Sequence, residues 1–255
     1  MEIIYIFLFF TGISLGSFLN VCIYRIPQTI SIVRPGSFCP ECKSGIAIYH
    51  NIPLISFLLL RGKCASCGSS ISLRYPLIEL VTGIMTILTF YKFGFSHEFI
   101  FYLNFIYFAI LIGIIDYNTQ KIHNSVVAMM LVSGILLNLL FPVITWEFAL
   151  FGVIAGGSVM FLIAILGKLL FKKESMGMGD VKFSAAAGFF LGWKMVLISI
   201  YFGFILALLA IIMLKLANKI KAGNYIPFGP FIAAGLIIFV FFGNSIIGLY
   251  LRLIL

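Results

Sequence analysis

Asp116 and Asp180 are the only aspartates in the 255-residue chain, and each adjoins a long apolar run. A carboxylate in such a place is costly and points first to function. Two carboxylates brought together can hydrolyse a peptide bond. One, ionised, takes a proton from water. The other, protonated, gives its proton to the scissile carbonyl and later helps the amine leave. Two anions about 4 Å apart at an effective dielectric near 20 repel by roughly 4 kcal/mol, or about three pKa units, so such a pair titrates in two steps. The run Gly177-Met178-Gly179-Asp180 sets two residues without a Cβ just ahead of the second acid. Glycine there permits unusual backbone angles and close approach of another chain, which a substrate lying as an extended strand against the carboxylates requires. On position alone, the two acids read as readily as loop-end carboxylates neutralised by Lys121 and Lys182.

A second chemistry-bearing group is Cys39-Pro40-Glu41-Cys42 with Cys64-Ala65-Ser66-Cys67, two CxxC pairs separated by 21 residues. Tetrahedral zinc takes four thiolates, and each CxxC turn presents two of them. Gly45 and Gly68 follow the pairs at turn-like positions. The competing reading is two disulfides, which a cytoplasmic loop would not keep. With all four ligands supplied by protein, Zn2+ at Cys39, Cys42, Cys64 and Cys67 is structural, without an open catalytic position. Cys22 lies within an apolar run and reads as a packing residue.

The elements that must position these groups are helices in lipid. Hydrophobic residues make up 62% of the chain and charged ones 10%, against about 25% charged in a soluble domain, too few to keep a soluble surface wet. The apolar residues fall in runs near the roughly 20 residues that a span needs. The expected fold is an all-α polytopic membrane protein. About eight transmembrane helices are expected, near 3–24, 76–93, 99–115, 125–141, 148–171, 181–191, 195–214 and 228–250, with a small cytoplasmic zinc-binding loop domain between the first two. The expected domains are 1–24 as the first helix, 25–75 as the zinc-binding domain and 76–255 as a transmembrane catalytic domain. The first span has no basic leader region or small-residue cleavage site and reads as a retained anchor.

With eight crossings and the N-terminus outside, 14 of the 17 Lys and Arg residues fall on the cytoplasmic side, leaving Lys92, Lys194 and Arg252 outside. This asymmetry sets the orientation, places both aspartates at the cytoplasmic end, and explains the net charge of +9 without nucleic acid. The segment 181–191 covers roughly 17 Å of a core about 30 Å thick. Either it crosses where the bilayer is thinned or hydrated, leaving Asp180 below the inner surface, or 181–194 is re-entrant.

Several segments together resemble the type IV prepilin peptidases, bacterial membrane aspartic peptidases with a GxGD motif. The resemblance covers nearly the whole chain. It is carried by Gly16-Ser17-Phe18-Leu19-Asn20-Val21, Tyr24-Arg25-Ile26-Pro27, both CxxC pairs with Asn51-Ile52-Pro53-Leu54-Ile55-Ser56 between them, Arg74-Tyr75-Pro76-Leu77-Ile78-Glu79, Asp116, Gly177 to Lys182, and Ile226-Pro227-Phe228-Gly229-Pro230-Phe231. One departure is His123 after Ile122, where the family often carries the proline that suits a first helical turn. His50, His97 and His123 read as loop histidines.

The resemblance implies an enzyme of the bacterial cytoplasmic (inner) membrane with Asp116 and Asp180 catalytic. It implies cleavage of a short basic leader after a glycine in type IV prepilins and pseudopilins, at the cytoplasmic face. It also implies N-methylation of the new terminus with S-adenosylmethionine. No glycine-rich nucleotide loop of the Rossmann kind appears in the chain, so the methyl-donor residues stay unassigned, with Glu79 a candidate. Glu79 reads equally as a buried acid paired with Arg74 or Arg25, and Asn20 as a cap for polar contacts in the bundle. Gly177, Gly179, Pro227, Gly229 and Pro230 are expected to position substrate, the last three by leaving backbone groups free to pair with an extended peptide.

Other readings stay open on the residues alone. One is a peptidase without methyl transfer. Another is a transporter whose carboxylates bind a cation or relay protons, although the inverted repeats and interrupted helices of that class are not evident. A third is an assembly protein whose zinc loop docks a partner. The expected partners are prepilin substrates and the lipid bilayer, with no nucleic acid. The sequence leaves the oligomeric state unknown, and its 28 phenylalanines are expected mainly to face lipid.

Overall fold

In the computed structural model the chain is helical, and residues 2–172, 176–218 and 226–254 are described. Eight α-helices follow in order: α1 (Glu2–Arg25), α2 (Ile55–Leu59), α3 (Arg74–Phe93), α4 (His97–Thr119), α5 (Asn124–Leu140), α6 (Trp146–Phe171), α7 (Met178–Leu216) and α8 (Gly229–Ile254). Among the described residues, five helical segments are long and apolar enough to cross a membrane, and Asn124–Leu140 and Gly229–Gly243 are shorter apolar helices. The chain divides into two units, Met1–Gly94 and Phe95–Leu255.

In the first unit α1 and α3 approach closely because small residues line their contact. A Cβ on Gly12 would lie 2.9 Å from the Gly83 backbone, and one on Gly16 would lie 2.9 Å from the Glu79 Cα. Lipid supplies no hydrophobic drive for helices to pair, so close packing of this kind holds them together. Thus α3, which the sequence reading grouped with the catalytic helices, packs on α1. Cys22 is buried in α1. Between the two helices the chain forms a loop domain of short turns. Arg25 anchors it by donating from its guanidinium to the carbonyls of Ser31, Pro35 and Gly36 at 2.8–3.0 Å.

The second unit is built around α7, which has 39 residues and one non-helical position, Gly192 (φ 70°, ψ 172°). A straight helix of that length would run about 58 Å. The chain instead reverses at Gly192. Gly156 of α6 meets both the Ser184 carbonyl and the Val196 side chain, residues that one continuous helix would hold about 18 Å apart. The two halves, 178–191 and 193–216, correspond to the two helical segments expected near 181–191 and 195–214.

The α6 helix runs antiparallel to the first half of α7, pairing Phe148 with Gly192, Gly152 with Gly188, and Gly156 with Ser184. Gly192 thus lies beside the first turn of α6, so 178–191 reaches the far end of the unit and does not turn back half-way. The same register puts Asp180 level with residue 160, leaving about 16 Å of α6 beyond it. On the other side Phe101 and Phe105 of α4 pack on Phe190, with ring centroids 4.9 Å apart in both pairs. Together with Phe183 these rings are fully buried. Part of the phenylalanine content expected to face lipid is therefore the core of this unit.

Candidate active site

Asp116 stands one turn before the end of α4, and Asp180 in the first turn of α7. Both are buried, at 5% exposure, and the residues beside Asp180 meet the segment that follows α4, with Gly179 against Ile122 and Lys182 bonded to Asn124. The antiparallel packing of α4 on the first half of α7 brings together two acids 64 residues apart in the sequence.

Each acid is held by a glycine N–H at the start of a helix. Gly177 caps α7 and donates to Asp180 Oδ2 at 3.2 Å. Gly229, the first residue of α8, donates to Asp116 Oδ2 at 2.9 Å. Donors at a helix start have no intrahelical acceptor, and a carboxylate there is also favoured by the helix dipole. At Gly229 and Gly179 the close approach requires glycine itself. A Cβ on Gly229 would lie 2.6 Å from Asp116 Oδ2 and 2.9 Å from Asp116 Cβ. A Cβ on Gly179 would lie 2.7 Å from that of Ile122.

The two flanking prolines, Pro227 and Pro230, carry no N–H. The Gly229 N–H, expected to be free for an extended substrate, is taken by Asp116. The segment therefore positions the carboxylate itself. That contact joins residues 113 apart, and no sequence spacing signals it. Lys182, considered as a neutralising partner, donates instead to Asn124 Oδ1 at 3.0 Å. His123 occupies the N-cap position of α5 without a capping hydrogen bond from its side chain, in the place where the family often carries proline.

The four cysteines form a cluster whose sulfur atoms all lie within 4.8 Å of one another, with Cys39 and Cys67 Sγ 4.0 Å apart. Four thiolates about 2.3 Å from a tetrahedral ion lie about 3.8 Å apart, so the cluster has the donors and the size to hold a metal ion. Each CxxC closes a small knuckle. The Lys43 N–H donates to the Cys39 carbonyl and the Gly68 N–H to the Cys64 carbonyl, both at 2.9 Å. The turn residue is the one directly after each pair, Gly68 (φ 72°) and Lys43 (φ 60°), so in the first knuckle Lys43 takes the place expected for Gly45. The Cys39 thiol is lowered to about 6, first by the backbone N–H of Cys42 and further by the Glu41 N–H and the Ser69 hydroxyl.

The cysteine knuckles, α1 and α3 enclose a cavity of about 730 Å3, lined among others by Asn20, Tyr24, His50, Tyr75 and Glu79. Glu79 is buried and accepts from the Leu54 N–H at 2.8 Å through Oε2, and Leu54 is held at φ 61°. Arg25 is engaged by carbonyls as described, and Arg74 stacks on Tyr75 at 5.1 Å. Asn20 Nδ2 donates to the Tyr75 carbonyl at 3.0 Å, while its buried Oδ1 has no hydrogen-bond partner.

Two family models and several curated relatives match the chain. The family model for the bacterial peptidase A24 N-terminal domain matches residues 10–93, and that of the type IV leader peptidase family matches residues 103–214. The prepilin leader peptidase/N-methyltransferase of Neisseria gonorrhoeae is 36% identical over 253 residues, covering 89% of this chain and 87% of its own. Its namesakes from Pseudomonas aeruginosa and Bacillus subtilis are 33% and 34% identical, covering 94% and 97% of this chain and 91% and 98% of theirs. No solved structure matches the chain significantly. A relation of this extent, with each matched segment falling in one of the two structural units, places the chain in the type IV leader peptidase family.

Proposed function

We propose that this protein is a membrane aspartic endopeptidase that removes the basic leader from type IV prepilins and pseudopilins after a glycine, and then N-methylates the new terminus. The observation that carries the peptidase reading is the pair Asp116 and Asp180, both buried, brought together from α4 and α7 and each fixed by a glycine N–H. One carboxylate takes a proton from water as the oxygen attacks the scissile carbonyl. The other donates its proton to the carbonyl oxygen. The proton then held by the first is delivered to the departing amine, and as the C–N bond breaks a hydroxyl of the tetrahedral intermediate returns its proton to the second, which restores the pair. Burial excludes bulk water from this exchange, and the two glycine donors keep the carboxylates oriented through both steps.

The asymmetry of Lys and Arg supports an inner-membrane protein with the aspartates and the cysteine domain on the cytoplasmic side. That side is where a basic leader remains while the apolar helix behind it lies in lipid. Zinc suits the four cysteines as a structural ion, because they fill its tetrahedral coordination. The cavity of about 730 Å3 in the first unit is the proposed site for S-adenosylmethionine, within the usual range of about 300–1,000 Å3 for ligand pockets. The unpartnered Asn20 Oδ1 and the buried Glu79 carboxylate are acceptors suited to a cationic ligand with several N–H donors. When bound, that ligand supplies the methyl group, and Glu79 and Asn20 would hold and orient it.

The test is leader release, read by mass, from a prepilin with a basic leader, a glycine and an apolar helix. Wild type, Asp116→Asn and Asp180→Asn are compared with and without S-adenosylmethionine. Release and an added methyl mass are expected for wild type, with no release in either variant. Release that survives both substitutions would place the chemistry elsewhere.

A further inference from the structure

Ser184 lies one turn after Asp180 on α7 and is fully buried, with 0% exposure. Side chains four residues apart share a helix face, with Cβ atoms about 5–6 Å apart. Cα–Cβ bonds also tilt toward the helix start, so the Ser184 hydroxyl leans over the turn that carries Asp180. Of the other buried helical hydroxyls of the described residues, Thr82, Thr86, Thr89 and Ser199 each donate to the carbonyl four residues back, and Ser56 of α2 donates to the Tyr49 carbonyl. Such back-bonding is the ordinary outlet for serine and threonine in an apolar helix. Ser184 departs from it, and its buried Oγ has no hydrogen-bond partner. On α7, Val181, Phe183, Ala185, Ala187 and Gly188 carry no polar side chain, and the Lys182 ammonium is engaged by Asn124 Oδ1. Across the contact with α6, Gly156 meets the Ser184 backbone. Buried polar atoms are almost always satisfied by protein or by water, and Asp180 is the polar side chain one turn away.

We propose that Ser184 is a positioning residue of the peptidase. Its hydroxyl forms the inner wall of the hydrated site and hydrogen-bonds the water shared with Asp180, holding that water between the carboxylates as it attacks. The inference rests on the aspartic peptidase reading. No bond to Ser184 forms or breaks. The water proton goes to the ionised carboxylate, the carbonyl takes the proton of the other, and the Ser184 hydroxyl remains protonated throughout. A hydroxyl kept without a protein partner beside a catalytic group costs stability that an alanine would recover, a trade seen where stability is given up for activity.

The test measures kcat, KM and Tm for leader release by wild type, Asp180→Asn, Ser184→Ala and Ser184→Cys. Cysteine keeps the size of serine but is a weak hydrogen-bonding group, so it separates hydrogen bonding from packing. Both Ser184 variants are expected to lose about tenfold or more in kcat, as for a misplaced reacting group, with KM within about twofold and Tm unchanged or raised. Activity retained in both variants would overturn the inference. So would a loss in Ser184→Ala alone, which would mark a packing role. If wild type releases no leader, the peptidase reading fails and the inference falls with it. If wild type is active and Asp180→Asn is not, an unchanged kcat in the Ser184 variants sinks the inference alone.

Discussion

The backbone N–H of Gly229 reaches the Asp116 carboxylate at 2.9 Å, closing a loop of 113 residues with a single hydrogen bond. The contact ties the start of α8 to the end of α4, and it is possible because residue 229 has no side chain. It fixes one of the two carboxylates proposed to react, and on that proposal the contact serves the chemistry before it serves substrate binding.

Gly229→Ala should therefore act on kcat. The added Cβ would fall 2.6 Å from Asp116 Oδ2, and either α8 or the carboxylate must move. A displacement of about 1 Å at a catalytic group can cost roughly 100-fold, so a loss of that order in kcat is expected, with KM little changed. Steady-state leader release in detergent checks it. A rise in KM with kcat preserved would return the segment to substrate binding.

Much of this site was legible because its parts are either local or scarce. The CxxC knuckles close within a few residues, so their spacing alone announces four thiolates. Asp116 and Asp180 stand out because the chain has no other aspartate. The long-range contacts were not legible. In lipid, apolar stripes do not select helix partners, and the pairing of α1 with α3 rests on Gly12 and Gly16 meeting the α3 backbone and threonines, and on Gly83 leaving room for Phe9 and Ile13. The same holds for Gly152 and Gly188, which bring α6 against α7. The break near 191–195 could be anticipated from length. That Gly192 turns the chain back could not, because a left-handed glycine leaves no periodic signature. Likewise Phe101, Phe105 and Phe190 look like lipid-facing bulk in sequence, yet they form the core beside the second aspartate's helix.

Methyl transfer should separate from cleavage at Glu79 and Asn20, which line the cavity of the first unit. Glu79→Gln keeps an oxygen to accept from Leu54 N–H but removes the charge, and Asn20→Ala removes the unpartnered acceptor. Each is expected to weaken S-adenosylmethionine binding by about 10-fold or more, the scale of a charge-assisted hydrogen bond. Calorimetric titration of the ligand and the methyl mass on released pilin provide the readouts. Leader release should stay near wild type in both. Equal loss of the two activities would mean that these residues hold the fold of the first unit and not a ligand.

One zinc ion per chain is expected at Cys39, Cys42, Cys64 and Cys67, whose sulfurs lie within 4.8 Å of one another. Elemental analysis of purified protein measures the stoichiometry. A chelator should remove the ion and lower the unfolding temperature, because binding energy at a structural site is folding energy. Cys39→Ser should abolish retention, since it removes one of four ligands and the most buried of them. Full stability in metal-free protein would indicate that the knuckles, closed by their own N–H to carbonyl bonds, suffice without an ion.

The chain reverses at Gly192 between the two halves of α7, and a methyl group there should break the turn. The backbone there, at φ 70° and ψ 172°, lies in a region essentially closed to residues with a side chain, at a cost of order 1–3 kcal/mol. The Cβ of Gly192→Ala would also run into the Phe148 ring, adding an overpacking cost of about 1–3 kcal/mol. The two costs have separate remedies. Phe148→Ala should relieve the clash but not the backbone strain, so the double variant Gly192→Ala with Phe148→Ala should recover only part of the lost Tm. Measured as a double-mutant cycle, the coupling between the two positions should be favourable. Strict additivity would show that Phe148 moves aside without cost, leaving the backbone angle as the whole effect.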